Sequence, residues 1–377
     1  MVPYMSRMTP FYQTLGGIKM ATPKCNLSTL SELVKGIVKH NTQVAKSGSK
    51  NVGDFLTLIV KGAPSTGKTS RIKADVAEMG VRFVTSHPIT ADPTDYKGLG
   101  MAVNGQAEFL PFGDLREWID ATEPTVVLID DVGQALTAVQ NALMQPIRER
   151  ALNGYQISPW ITFVLATNGR KDKAGVTGLT STLQTRAMIV ELVEDHEGFL
   201  DWAAGNLCHE VHGFLSYRKD LIYGLNTALD MENTPQYRGW EMVSNLMALR
   251  LSNTTEMLGI AGAVGEAAAA EFCGFLRHWR ELVNPEDVWA DPGRVKVPTE
   301  ASALYAVVSK VASDVTPEHL PAMIKYVRRC GPEYEVKSYF DIVRLSNSRK
   351  DKSLMSNKVF IEWSASATIT AALNYLK

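Results

Sequence analysis

Gly62-Ala63-Pro64-Ser65-Thr66-Gly67-Lys68-Thr69 stands directly after the apolar run Phe55–Val60 and directly before the helical run Ser70–Met79. The spacing G-x-x-x-x-G-K-[ST] is complete, and it falls at the strand-to-helix junction that such a loop requires. Its glycines let the backbone curl around a phosphate with the amides inward, and the start of the next helix adds partial positive charge. Lys68 is placed to reach the β- and γ-phosphates and Thr69 to ligate magnesium. Residues Gly62 to Thr69, with Ser70, are therefore expected to bind ATP with Mg2+.

Outward from this loop the chain alternates short apolar runs with longer helical patterns. The strand candidates are Phe55–Val60, Arg82–Thr85, Val126–Ile129, Ile161–Ala166 and Met188–Leu192. Apolar runs spaced by helices belong to a mainly parallel sheet covered on both faces. The expected fold class is α/β: a P-loop αβα sandwich with a five-stranded sheet. The run Val126–Ile129 ends in Asp130-Asp131, where Asp130 is expected to hold magnesium and Asp131 to act on the attacking water. Asp131 can equally cap a helix starting near Val132, since Asp is a favoured cap.

Upstream, Leu27–Lys39 reads as a helix, with Ser28 as its cap, Glu32 in the capping region and Leu30, Leu33, Val34 and Ile37 at helical spacing. Residues 1–25 are expected to be peripheral. Beyond residue 196 strand runs give way to helical stretches such as Trp240–Leu251 and Gly265–Leu282, and Pro285–Pro298 reads as a loop. The domains expected are a nucleotide-binding domain over 26–195, a helical lid over 196–253 and a helical region over 254–377. Two Asn-Gly pairs signal hairpins, Asn104-Gly105 within Met101–Leu110 and Asn153-Gly154 within Arg148–Ile157.

Of 377 residues 45% are apolar and 21% charged, which suits a globular protein. With 39 basic and 40 acidic residues the net charge is -1, so no global field draws the chain to nucleic acid or to an anionic membrane. Cys25, Cys208, Cys273 and Cys330 lie far apart without CxxC spacing, which argues against a zinc knuckle or a disulfide framework and for a reducing cytoplasm. No window is apolar enough for a signal peptide or a membrane span. His209-Glu210-Val211-His212 lacks the spacing of a zinc motif. Residues 325–358 hold nine basic against four acidic side chains; this is read as a solvated helix face, with phosphate contact as the alternative.

With the loop and Asp130-Asp131 placed, Ile161-Thr-Phe-Val-Leu-Ala-Thr-Asn168 resembles the sensor-1 strand of AAA+ ATPases. Further stretches resemble the MoxR-like branch of that family, in a group common in bacteria and phages: Asp92–Leu99, Val139-Gln140-Asn141-Ala142-Leu143, Ala166–Arg170 and Tyr237-Arg238-Gly239-Trp240-Glu241. The resemblance implies that Asn168 is sensor 1, Arg186 the arginine finger and Arg238 sensor 2. Arg170 and Lys173 are rivals for the finger. It also implies that the two hairpins correspond to the helix-2 insertion and the presensor-1 hairpin. The family has Glu where this chain has Asp131, one methylene shorter, which bears on the hydrolysis rate.

The function expected is thus an ATP-hydrolysing motor forming a homo-oligomeric ring, a hexamer by resemblance, that acts on a partner protein such as one with a von Willebrand A-type domain. The alternatives are a nucleic-acid motor in phage replication or packaging, for which the basic stretch 325–358 speaks, and a nucleotide-gated scaffold with weak hydrolysis, for which Asp131 speaks.

Overall fold

The computed structural model describes residues 22–169, 178–224, 232–281 and 284–375. Its strands, in chain order, are β1 Lys24–Cys25, β2 Leu58–Gly62, β3 Arg82–Ser86, β4 Leu99–Val103, β5 Gln106–Leu110, β6 Thr125–Ile129, β7 Ala151–Leu152, β8 Tyr155–Gln156, β9 Ile161–Thr167 and β10 Met188–Leu192. Six of them form one sheet in the order β1-β10-β2-β9-β6-β3, with every neighbouring pair parallel. The expected α/β sandwich is present. It has six strands rather than five, because Lys24–Cys25 pairs with Glu191–Leu192 at the edge. That short strand also draws the end of the expected peripheral segment into the fold.

Period-two alternation divides the core. Leu58, Val60, Val126, Leu128, Val164 and Ala166 pack on one face against Leu30, Val34, Ile37, Ile72 and Val76. Ile59, Val127, Ile129, Phe163 and Leu165 pack on the other against Trp118, Val139 and Leu143. β6 and β9 are buried along their whole length, as central parallel strands covered on both sides must be.

Several element ends differ from the sequence expectation, each for a local reason. The first helix runs Leu27–Ser47, and its cap is Asn26 rather than Ser28: the Asn26 side chain accepts from the Thr29 amide. Phe55 and Leu56 lie outside the strand because Asn41 takes the Leu56 backbone. The Asn41 amide donates to the Leu56 carbonyl at 2.9 Å, and its oxygen accepts from the Leu56 amide at 2.9 Å. Within the expected loop Pro285–Pro298 a helix forms over Pro285–Ala290, started by Asn284, whose side chain accepts from the Glu286 amide, with Pro285 at the first position.

Both hairpins form, β4–β5 turning at Asn104-Gly105 and β7–β8 at Asn153-Gly154, with all four turn residues at positive φ. Past residue 192 the described residues are helical. Helices His196–Asn206, His209–Tyr217, Tyr237–Met247, Asn253–Val264 and Glu266–Glu281 surround a cluster centred on Phe214, Trp240 and Phe272. A further cluster, including Val307, Met323, Ile342, Phe360 and Trp363, builds the C-terminal helical region.

Candidate active site

The phosphate loop leaves β2 at Gly62, where a Cβ would lie 2.9 Å from the Leu192 carbonyl oxygen, so no other residue fits without movement. Ser65 and Gly67 hold positive φ, which reverses the chain into helix Lys68–Glu78. Gly67, at the cap position, offers no side chain to that helix, whose N-terminus carries partial positive charge. The helix is fixed from behind: Asp75, fully buried, accepts from Ser31 at 2.7 Å and from Arg71, tying it to helix Leu27–Ser47.

At the carboxyl ends of β2, β6 and β9 the structure brings five of the expected residues together. The Lys68 ammonium is 7% exposed and donates to the Gly62 carbonyl at 2.9 Å, the Ala63 carbonyl at 2.8 Å and Asn168 Oδ1 at 3.0 Å. Asn168 Nδ2 donates to Asp131 Oδ1 at 3.1 Å, so one amide joins the lysine to the carboxylate. The Thr69 hydroxyl donates to Asp130 Oδ2 at 2.8 Å. Asp131, at φ 53°, stands at the cap position of a short 3-10 turn, Val132–Gln134, without a side-chain capping hydrogen bond. Burial raises the Asp131 pKa first and the Asp130 charge adds to it, against the opposing charges of Lys68, His87 and Arg238.

Arg238 is exposed at the second position of helix Tyr237–Met247, near enough for its charge to act on Asp131. Arg186 is exposed in the turn before β10, with no hydrogen bond or ion pair among the described residues, and Ser70 is exposed on the helix after the loop. Arg170 and Lys173 lie outside the described residues. One contact carried no sequence signal. The Tyr223 hydroxyl donates to the Pro64 carbonyl at 2.7 Å across 159 residues of chain, and Ala63 packs on the same helical cluster as Tyr223.

Four basic side chains of the stretch 325–358 are engaged within the chain. Arg328 pairs with Glu335, Lys337 with Asp341, and Arg344 with Glu197 and Asp201, while Arg329 donates to the Pro292 and Val295 carbonyls. No helix of the described residues is long and apolar enough to cross a membrane.

No family profile and no curated protein sequence matches the chain. Among solved structures it is similar to a RuvB mutant of Thermotoga maritima, at 15% identity over 91% of each chain and a TM-score of 0.33. It is also similar to NtrX of Brucella abortus in complex with ADP, at 13% identity over 87% of this chain and 68% of that one, with a TM-score of 0.38. Likeness at this level leaves the chemistry to the residues themselves.

Proposed function

We propose that the chain is a magnesium-dependent ATPase of the AAA+ kind that works as a homo-oligomeric ring on a partner protein. The observation that carries this reading is the cluster at the mouth of the loop, in which Asn168 joins Lys68 to Asp131 beside the Thr69–Asp130 pair. The Thr69 hydroxyl and the Asp130 carboxylate are hard oxygen donors of the kind Mg2+ takes beside substrate phosphates and water, so they would hold the ion. Bound there, it would neutralise charge on the phosphate oxygens. Lys68 and the N-terminus of helix Lys68–Glu78 hold the triphosphate, and Asp131 accepts the proton of the attacking water. Asn168 keeps Asp131 and Lys68 in register. Arg238 adds positive charge from the lid.

Arg186, exposed and without a partner among the described residues, fits a residue that acts on the site of a neighbouring subunit. The MoxR-like resemblance extends the proposal to a hexamer and to a partner such as a von Willebrand A-type domain protein. Leu99 and Met101, each about half exposed on one face of the β4–β5 hairpin, support a polypeptide as that partner, since large apolar side chains grouped in the open mark contact surfaces, and Phe109 is half exposed on the other face. The internal pairing of the basic stretch favours protein over nucleic acid.

Mixing variants tests the reading. The unmodified chain is expected to release phosphate from ATP, and Lys68→Ala and Arg186→Ala each to be nearly inactive, the arginine by about 10³-fold or more. A mixture that has exchanged subunits should regain activity, because some interfaces then pair an intact loop with an intact arginine. If labelled subunits exchange and the mixture stays as inactive as either parent, the role of Arg186 across subunits fails and Arg170 or Lys173 takes its place for testing.

A further inference from the structure

The loop's own side chains account for two of its carbonyls: Lys68 donates to Gly62 and Ala63, and the Thr66 hydroxyl also donates to Ala63. The next carbonyl, Pro64, takes its hydrogen bond from Tyr223 of the lid, a ring only 8% exposed. From Tyr223 the connection continues. The Gly224 amide donates to the Pro235 carbonyl at 2.7 Å, and the Thr234 hydroxyl donates to the Gly224 carbonyl at 2.6 Å. These bonds fasten Gly224, directly after Tyr223, to the residues that open helix Tyr237–Met247. The Tyr223 and Tyr237 rings lie 5.3 Å apart, and Tyr237 stacks on Phe199 at 4.2 Å. Arg238 is the next residue.

We infer that the Tyr223 hydroxyl is a positioning group for hydrolysis: it sets the lid's register on the phosphate loop and thereby aims Arg238 at the triphosphate. The inference rests on the ATPase reading above. Nucleotide itself is held by Lys68 and the loop amides, so the hydroxyl governs turnover and leaves affinity nearly alone. The coupling is local, running through hydrogen bonds and the tilted Tyr223–Tyr237 ring contact to one charged side chain. A group that served only general stability would show no dependence on Arg238.

Tyr223→Phe removes one oxygen and keeps the ring packing, so the variant should fold with a melting temperature close to that of the parent. The expected kcat is lower by about 3- to 10-fold, the range a single hydrogen bond spans, while the ATP KM stays within about twofold. In an Arg238→Ala background the same change should lower kcat by less than about 1.5-fold, because the group it positions is gone. A raised KM with unchanged kcat, or an equal loss of kcat in both backgrounds, overturns the inference while the ATPase reading stands. Absence of hydrolysis by the unmodified chain overturns both.

Discussion

Asp131 holds φ 53°, in the left-handed region that Asp and Asn tolerate better than most side chains, and its carboxylate is shared between Asn168 and the nearby charge of Asp130. Asp131→Asn keeps an oxygen to accept from Asn168 and loses the base, so it should still bind ATP while turnover falls by roughly 10²–10⁴-fold. The same variant makes a signed prediction about pH. Because burial and Asp130 raise the Asp131 pKa, the folded state favours its protonated form, and ionisation costs stability as pH rises from the ordinary Asp range to that raised pKa. The Asn variant escapes this cost. It should melt higher than the parent at pH 8, and the gap should shrink as pH falls through the raised pKa to the ordinary Asp range; a gap independent of pH would mean that relief of backbone conformation alone is responsible. That Lys68, Thr69 and Asp130 would stand at one end of the sheet was legible in the sequence because it follows from motif spacing at the strand ends. Tyr223 was not, since a tyrosine that meets its partner 159 residues away leaves no pattern.

Two glycines within helices make opposite predictions. Gly36 is exposed in helix Leu27–Ser47 with nothing within 4 Å of where a Cβ would stand, so Gly36→Ala should raise stability by about 1 kcal/mol through helix propensity. At Gly205, in helix His196–Asn206, a Cβ would lie 2.7 Å from the Cβ of Ser348 in helix Pro332–Arg349. Gly205→Ala should therefore lose about 1–3 kcal/mol to overpacking, more than propensity returns. Denaturant midpoints for the two variants should move in opposite directions; a gain at both would mean that the two helices do not meet as closely as described. At this scale the apolar runs and the Asn-Gly pairs located strands and hairpins, because period and turn chemistry are written locally. Element ends were less legible. Asn41 reaches across to satisfy Leu56, and Lys24–Cys25 is a strand only because the edge of β10 is available to pair with it.

Across the molecule, the lid stands between two partners. It touches the phosphate loop through Tyr223 and Ala63, and it packs on the C-terminal helices where Gly213 approaches Ser309 and where Arg344 pairs with Glu197 and Asp201. A shift of these helices on the loop would thus be felt by the C-terminal helices, as the proposed function would require. Everything in this account depends on chemistry at Lys68. The most direct test is phosphate release from ATP by the intact chain, with and without magnesium, set beside Lys68→Ala judged folded by its circular dichroism and melting. Magnesium-dependent release is expected from the intact chain, and its loss, together with that of tight ATP binding, from the folded variant. Equal release by the two proteins, or none by the intact chain under conditions where it assembles, would contradict this expectation.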